Sequence, residues 1–239
     1  MQSWVLFNTI SLVQAFAFIT VPEANKVIRT STVGGVCDNS YETKLTTCGD
    51  ELVKMGVFSS NGRQISFNDM KSRSQQYFVQ MCSAYGRFNN CLGGTFIKTA
   101  CYSHEPAKSK YAVVDAALEY ICGVGYQSML QNWDCYLSVA ASQEINICEA
   151  SFIHLATNGE NMYSEYNTGT GACFALQTYV DCIRPSIEQS CGLGSFDTVI
   201  NAIEKPVQVY LPTCLLSSAG SAHILTVIFA FIVSSVILF

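Results

Sequence analysis

Residues 66–94 read SFNDMKSRSQQYFVQMCSAYGRFNNCLGG, and the order of their apolar positions decides the fold class. Phe67, Met70, Ser74, Phe78, Met81, Tyr85, Phe88 and Leu92 follow one another at three- and four-residue steps, which gathers them into one stripe on a helix. Ser66 stands three residues before Asp69, the spacing of a capping box, and Gly93-Gly94 closes the run as a C-terminal stop. The segment predicts a long helix from Ser66 to Leu92.

The same period recurs on both sides. Tyr41, Leu45, Cys48, Leu52 and Met55 share a face and stop near Gly56. From Val113 to Cys122, Val114, Leu118 and Cys122 share a face, and Gly123 sits where a left-handed cap belongs. Further helices are expected over Gln127 to Val139, over Cys173 to Arg184 ending at Pro185, and over Phe196 to Lys205 ending at Pro206. Alternating strand patterns are scarce, so the expected fold is all-α.

Those helices carry twelve cysteines: Cys37, Cys48, Cys82, Cys91, Cys101, Cys122, Cys135, Cys148, Cys173, Cys182, Cys191 and Cys214. An even count in a secreted chain reads as a disulfide framework, hence a disulfide-stapled helical domain. The pairing stays open, since twelve cysteines allow on the order of ten thousand arrangements. They fall in triplets, and Cys82-Cys91-Cys101 matches Cys173-Cys182-Cys191 in its first gap, with Ala84 and Ala175 and then Phe88 and Tyr179 at equal offsets. This is a weak internal repeat of cysteine triplets. Nine residues make about two and a half helical turns, so Cys82 and Cys91, or Cys173 and Cys182, point to opposite sides of their helix and reach different neighbours.

Both ends read as processing signals. Trp4 to Phe18 is mostly apolar, too short to span a bilayer comfortably, and Ala15-Phe16-Ala17 supplies small residues for signal peptidase, so residues 1–17 read as a signal peptide cut after Ala17. At the other end Ser217-Ser218-Ala219-Gly220-Ser221-Ala222 precedes the apolar stretch Ile224 to Phe239. Small residues followed by a hydrophobic tail form a glycosylphosphatidylinositol (GPI) signal over residues 217–239, with lipid attachment expected at Ser217 and Ser218 as the alternative. The rival reading is a spanning helix from Leu215 to Phe239. Residues 18–216 are then a cysteine-rich ectodomain at the extracellular face of the plasma membrane, with single-pass and secreted forms as alternatives.

Charge is uneven. From Lys26 to Lys110 there are eleven Lys and Arg against six Asp and Glu, and from Tyr111 to Cys214 two against eleven. A basic first half could meet anionic glycans or headgroups; the favoured reading is that the halves complement one another across their interface. An acidic, extracellular chain is a poor ligand for nucleic acid.

Catalytic constellations are missing from the pattern. Only His104 and His154 lie in the ectodomain, without the neighbours of a zinc helix or a helical phospholipase, and no nucleophile elbow, phosphate loop or dinucleotide fingerprint occurs. Cys-x-x-Cys metal spacings are absent too, so no cofactor or metal and no enzymatic activity are expected. Two loops stand out, Tyr102 to Lys110 and the longer Ala156 to Gly171 with Tyr163 and Tyr166; exposed tyrosines suit recognition, and a plain solvated connection is the favoured reading of each.

Gln76-Tyr77-Phe78-Val79-Gln80-Met81-Cys82 leading to Cys91-Leu92, Leu118-Glu119-Tyr120-Ile121-Cys122-Gly123 leading to Cys135, and Cys173 leading to Cys182 and Cys191-Gly192 carry a resemblance over Cys37 to Tyr210. In these features the chain resembles the nematode secreted cysteine-rich families that include the chondroitin proteoglycan 4-type domain and a sister domain of unknown function. The resemblance implies a small helical secreted module without known enzymatic activity. It carries no glycosaminoglycan attachment, because no Ser-Gly occurs. The expected function is a GPI-anchored module that binds an extracellular protein or matrix component. The alternative is a carrier of hydrophobic ligands, with Phe78, Met81 and Phe88 lining a cavity.

Overall fold

A computed structural model describes residues 36–58, 73–157 and 170–216. Every regular element among them is a helix: α1 (Asn39–Lys54), α2 (Gln75–Leu92), α3 (Phe96–Cys101), a π-helical turn (Lys108–Ala112) running into α4 (Val113–Ile121), α5 (Tyr126–Ala140), α6 (Gln143–Thr157), α7 (Thr170–Cys191) and α8 (Ser195–Tyr210). The all-α reading holds.

Local chemistry sets the boundaries. The Asp38 carboxylate accepts from the backbone N–H groups of Ser40 and Tyr41, each at 2.9 Å, so α1 starts on a satisfied cap. Ser74 is extended and accepts from Tyr77 N–H, so α2 starts at Gln75 rather than at Ser66. Ser66, Phe67 and Met70 lie outside the described residues. Gly93 then takes φ 75° as a left-handed cap, and the expected stop is there. Two other expected stops are not. α7 runs through Pro185 to Cys191, and α8 through Pro206 to Tyr210. A proline inside a helix costs about 3 kcal/mol, but Ile187 and Val207 beyond the two prolines are buried and the Cys135–Cys191 bridge ties down the end of α7. Tertiary structure outweighs the local cost. In the first-half counterpart the Gly93 cap has already ended the helix, and Gly94 holds the position three residues after Cys91 where α7 carries Pro185.

All twelve cysteines are paired and the bridges fall into two sets that never cross. Cys37–Cys101, Cys48–Cys91 and Cys82–Cys122 close the first half. Cys135–Cys191, Cys148–Cys182 and Cys173–Cys214 close the second. Numbered along each half, both sets join first to fifth, second to fourth and third to sixth. The repeating unit of the bridges is therefore six cysteines, and the two triplets that match in spacing are the third to fifth members of each six. Cys82 and Cys91 do reach different neighbours, α4 and α1, as do Cys173 and Cys182. A single loop of 34 to 64 residues closed in this way stabilises by roughly 4 kcal/mol taken alone.

Packing follows the same repeat. Leu45 and Leu52 flank Cys48 on α1 as Ile145 and Phe152 flank Cys148 on α6, and all four are buried. Ala84, Tyr85 and Phe88 on α2 match Ala175, Leu176 and Tyr179 on α7, all buried as well. α1 packs on α2 and α6 on α7, while α4 and α8, the last helices of the halves, pack on each other. Each half has its own apolar core, and α5 forms a wall of both: Trp133 enters the first, Tyr136 and Val139 the second.

Candidate interaction surface

The direction of the second-half helices defines two poles. Cys148–Cys182 and the Phe152–Tyr179 ring contact at 5.6 Å set α6 antiparallel to α7. Cys173–Cys214 places the start of α7 beside the chain that follows α8. The chain thus leaves the described structure at Leu216 at one pole, and the end of α7 lies roughly 27 Å away at 1.5 Å per residue from Cys173 to Cys191.

At that far pole α7 turns into α8 through Gly192-Leu193-Gly194. The glycines take φ 93° and 88°, a region that L side chains rarely adopt. Ser195 Oγ donates to the Gly192 carbonyl at 2.6 Å, and Tyr136 OH donates to the Ser195 carbonyl at 2.9 Å, so the turn is braced from α5. Between the glycines Leu193 stands 90 % exposed.

A second turn reaches the same pole. Gly123-Val124-Gly125 joins α4 to α5, and the hydroxyls of Ser128 on α5 and Thr198 on α8 lie 2.5 Å apart, which sets this turn beside the start of α8. Its glycines are required by space: a Cβ on Gly123 would collide with the Glu119 carbonyl oxygen, and one on Gly125 would come 2.7 Å from the Tyr120 ring. The expected left-handed cap at Gly123 is not what holds the turn, since Gly123 is not among the positive-φ glycines. Val124 is again 90 % exposed.

Exposed Glu119, Asp134 and Asp197 frame the two tips, and Asp134 adjoins the Cys135–Cys191 bridge that precedes Leu193. Arg184 and Lys205 are the only Lys or Arg between residues 111 and 216. Burial pushes the Tyr120 and Tyr136 hydroxyls above their ordinary pKa, Tyr120 against hydrogen bonds from Thr198 and Asn201, so these braces stay protonated at neutral pH. The arrangement presents two fixed aliphatic knobs in an acidic field, a form suited to docking.

Of the ion pairs described, Lys54–Asp50 and Arg87–Glu51 lie within the basic stretch before Tyr111. Lys98–Asp115 joins that stretch to the acidic one, the kind of contact that charge complementarity between them calls for. His104 and His154 are exposed, on the α3 to α4 connection and on α6. Tyr163, Tyr166, Ser217, Ser218 and Ala17 fall outside the described residues. Among the described residues no group of three or more His, Cys, Asp or Glu is placed to hold a metal ion, and no helix is long and apolar enough to cross a membrane. The two tips escaped the sequence reading, although Cys122-Gly-Val-Gly and Cys191-Gly-Leu-Gly repeat one pattern in plain view.

Compared with protein-family models, with curated proteins and with solved structures, the chain gives no match. Six bridges without a free cysteine mark a chain folded in an oxidising compartment, in keeping with an extracellular or secreted protein.

Proposed function

We propose that the chain is a non-enzymatic module of the extracellular face of the plasma membrane, held by a GPI anchor at Ser217, and that it binds an extracellular protein through the pole bearing Val124 and Leu193. The observation that carries this reading is the pair of glycine-held turns, each exposing one aliphatic side chain at the end opposite the chain's exit. Four glycines are committed to presenting two side chains that contribute nothing to either core. Gly192 also serves the fold as the left-handed end of α7, and the two exposed side chains are what remains for a partner. The resemblance to nematode secreted modules points the same way.

The carrier alternative draws less support from the packing. Phe78, Met81 and Phe88 are at most 2 % exposed, and the Phe78 ring stacks against Tyr126 at 5.4 Å and Trp133 at 4.8 Å, so these side chains meet protein.

Attachment is tested on intact cells with phosphatidylinositol-specific phospholipase C. Release of the domain into the medium is expected. Retention on the cells, together with survival of a tag placed after Phe239, would replace the anchor with a spanning helix from Leu215.

A further inference from the structure

The pole at the chain's exit has a different chemistry from the tips. Residues 170–180 and 206–216 contain no Asp, Glu, Lys or Arg, in a half that is otherwise acidic. Phe174 and Leu215 adjoin the two cysteines of the Cys173–Cys214 bridge, whose Cα atoms are 5.5 Å apart, and they are 61 % and 71 % exposed. Phe174 breaks the pattern of its own helix. The outward stripe of α7 continues as Thr178, Asp181, Pro185 and Gln189, and only its first turn exposes a large apolar side chain.

The bridge and the buried Leu216 fix where the chain leaves. Ser217 follows Leu215 by two residues, at most about 7 Å of extended chain. Any attachment beyond Leu216 therefore brings this pole towards the bilayer and turns the Val124 and Leu193 pole away from it. The Tyr210 ring at its border carries the Lys108 ammonium 4.7 Å from its centre, and the Tyr210 hydroxyl donates to the Glu105 carboxylate. An aromatic ring and a lysine bordering an uncharged apolar surface are the composition of a membrane interface.

We propose that the uncharged pole around the Cys173–Cys214 bridge seats on the lipid surface, with Phe174 and Leu215 entering the headgroup layer of a zwitterionic leaflet. The seat rests on the reading that the chain is attached at its C-terminal side, but it holds for a lipid anchor and a spanning helix alike. It stands the domain upright, with α7 carrying the binding pole outward.

The test uses the full chain purified from cell membranes and reconstituted into phosphatidylcholine vesicles, with and without brominated phosphatidylcholine as quencher. Phe174→Trp places a reporter at the seat and Leu193→Trp one at the far pole; Trp133, 2 % exposed, is the internal reference. Expected is loss of emission with brominated lipid for Phe174→Trp, and unchanged emission for Leu193→Trp and the parent chain. Equal quenching at both positions, or none at Phe174→Trp in a chain that floats with the vesicles, overturns the seat while leaving attachment in place. A chain that does not float overturns both. Quenching at Phe174→Trp in a chain that the phospholipase cannot release keeps the seat and removes the lipid anchor.

Discussion

The rings of Phe78 and Trp133 lie with centroids 4.8 Å apart and planes 26° from parallel, and this contact joins the two halves of the chain. Phe78 belongs to α2 in the first half, and Trp133 to α5, whose Cys135 is bridged in the second. Seven residues before Trp133, Tyr126 also stacks on Phe78, and Trp133 Nε1 donates to the Arg73 carbonyl at 3.2 Å. The first core is thus completed by a helix that starts after its own last cysteine.

A first-half fragment should therefore fold only if it includes α5. Residues 18–141 with Cys135→Ser are expected to form the three first-half bridges and unfold cooperatively in urea, whereas residues 18–124 should not. In the full chain Trp133→Ala should cost about 3 to 5 kcal/mol. Cooperative folding of the shorter fragment would show that α5 is dispensable to that core.

The ion pair of Lys98 and Asp115 gives a prediction with a sign in pH. The Lys98 ammonium donates to both carboxylate oxygens at 2.7 and 2.9 Å, with the two side chains only 16 % and 6 % exposed. Burial pushes the Asp115 carboxyl above its ordinary 3.8, and Lys98 opposes that shift. Lys98→Met removes the opposition and should cost roughly 3 to 5 kcal/mol at neutral pH by leaving a buried charge without its partner. A raised carboxyl pKa contributes stability that is complete below the unfolded value and lost as pH rises through the folded one. The Lys98→Met deficit should accordingly shrink as pH falls towards 4 in urea titrations. A deficit equal at both ends of that range would place its origin in lost packing of the lysine stem.

Glycine substitutions separate positions that need the missing side chain from one that does not. Gly123→Ala meets the Glu119 backbone and Gly192→Ala is held at φ 93°, so each should lower stability, the latter by about 1 to 2 kcal/mol. Gly86 lies exposed inside α2 with nothing within 4 Å of an added Cβ, and Gly86→Ala should raise stability by about 0.5 to 1 kcal/mol. Thermal melts of the three variants give the comparison. Stabilisation by Gly123→Ala would mean that the turn is not held as described.

What the sequence disclosed was the local part. Helical period placed α1, α4 and α5 to within a few residues and the end of α2 at Leu92, while α2 starts at Gln75, nine residues after the expected Ser66; the nine-residue cysteine spacing correctly sent Cys82 and Cys91 to different helices. α6 went unread, although Ile145, Cys148, Phe152 and Leu155 keep the helical step, because no recognised start or stop framed it. Pro185 and Pro206 read as ends in the sequence since local chemistry alone says so; what carries the helices past them is buried Ile187 and Val207 with the Cys135–Cys191 bridge, contacts made by distant parts of the chain. The bridge order was illegible for the same reason. The tips at Val124 and Leu193 were hidden differently, since a Gly-x-Gly turn reveals its exposure and its pole only when the helices around it are placed.

The direct test of the binding pole is a titration of the phospholipase-released domain, fluorescently labelled, onto intact cells of the tissue that makes it and of its neighbours, comparing the parent with Val124→Asp/Leu193→Asp and with Phe174→Ser. All three substitutions fall on exposed side chains, so the folded domain should persist in each. Expected is saturable binding that weakens with added salt, falls at least about tenfold in the double variant through loss of central apolar contacts, and is unchanged by Phe174→Ser. Binding that is indifferent to the Val124 and Leu193 changes, or abolished by Phe174→Ser, would contradict the assignment of the binding surface to the pole opposite the chain's exit.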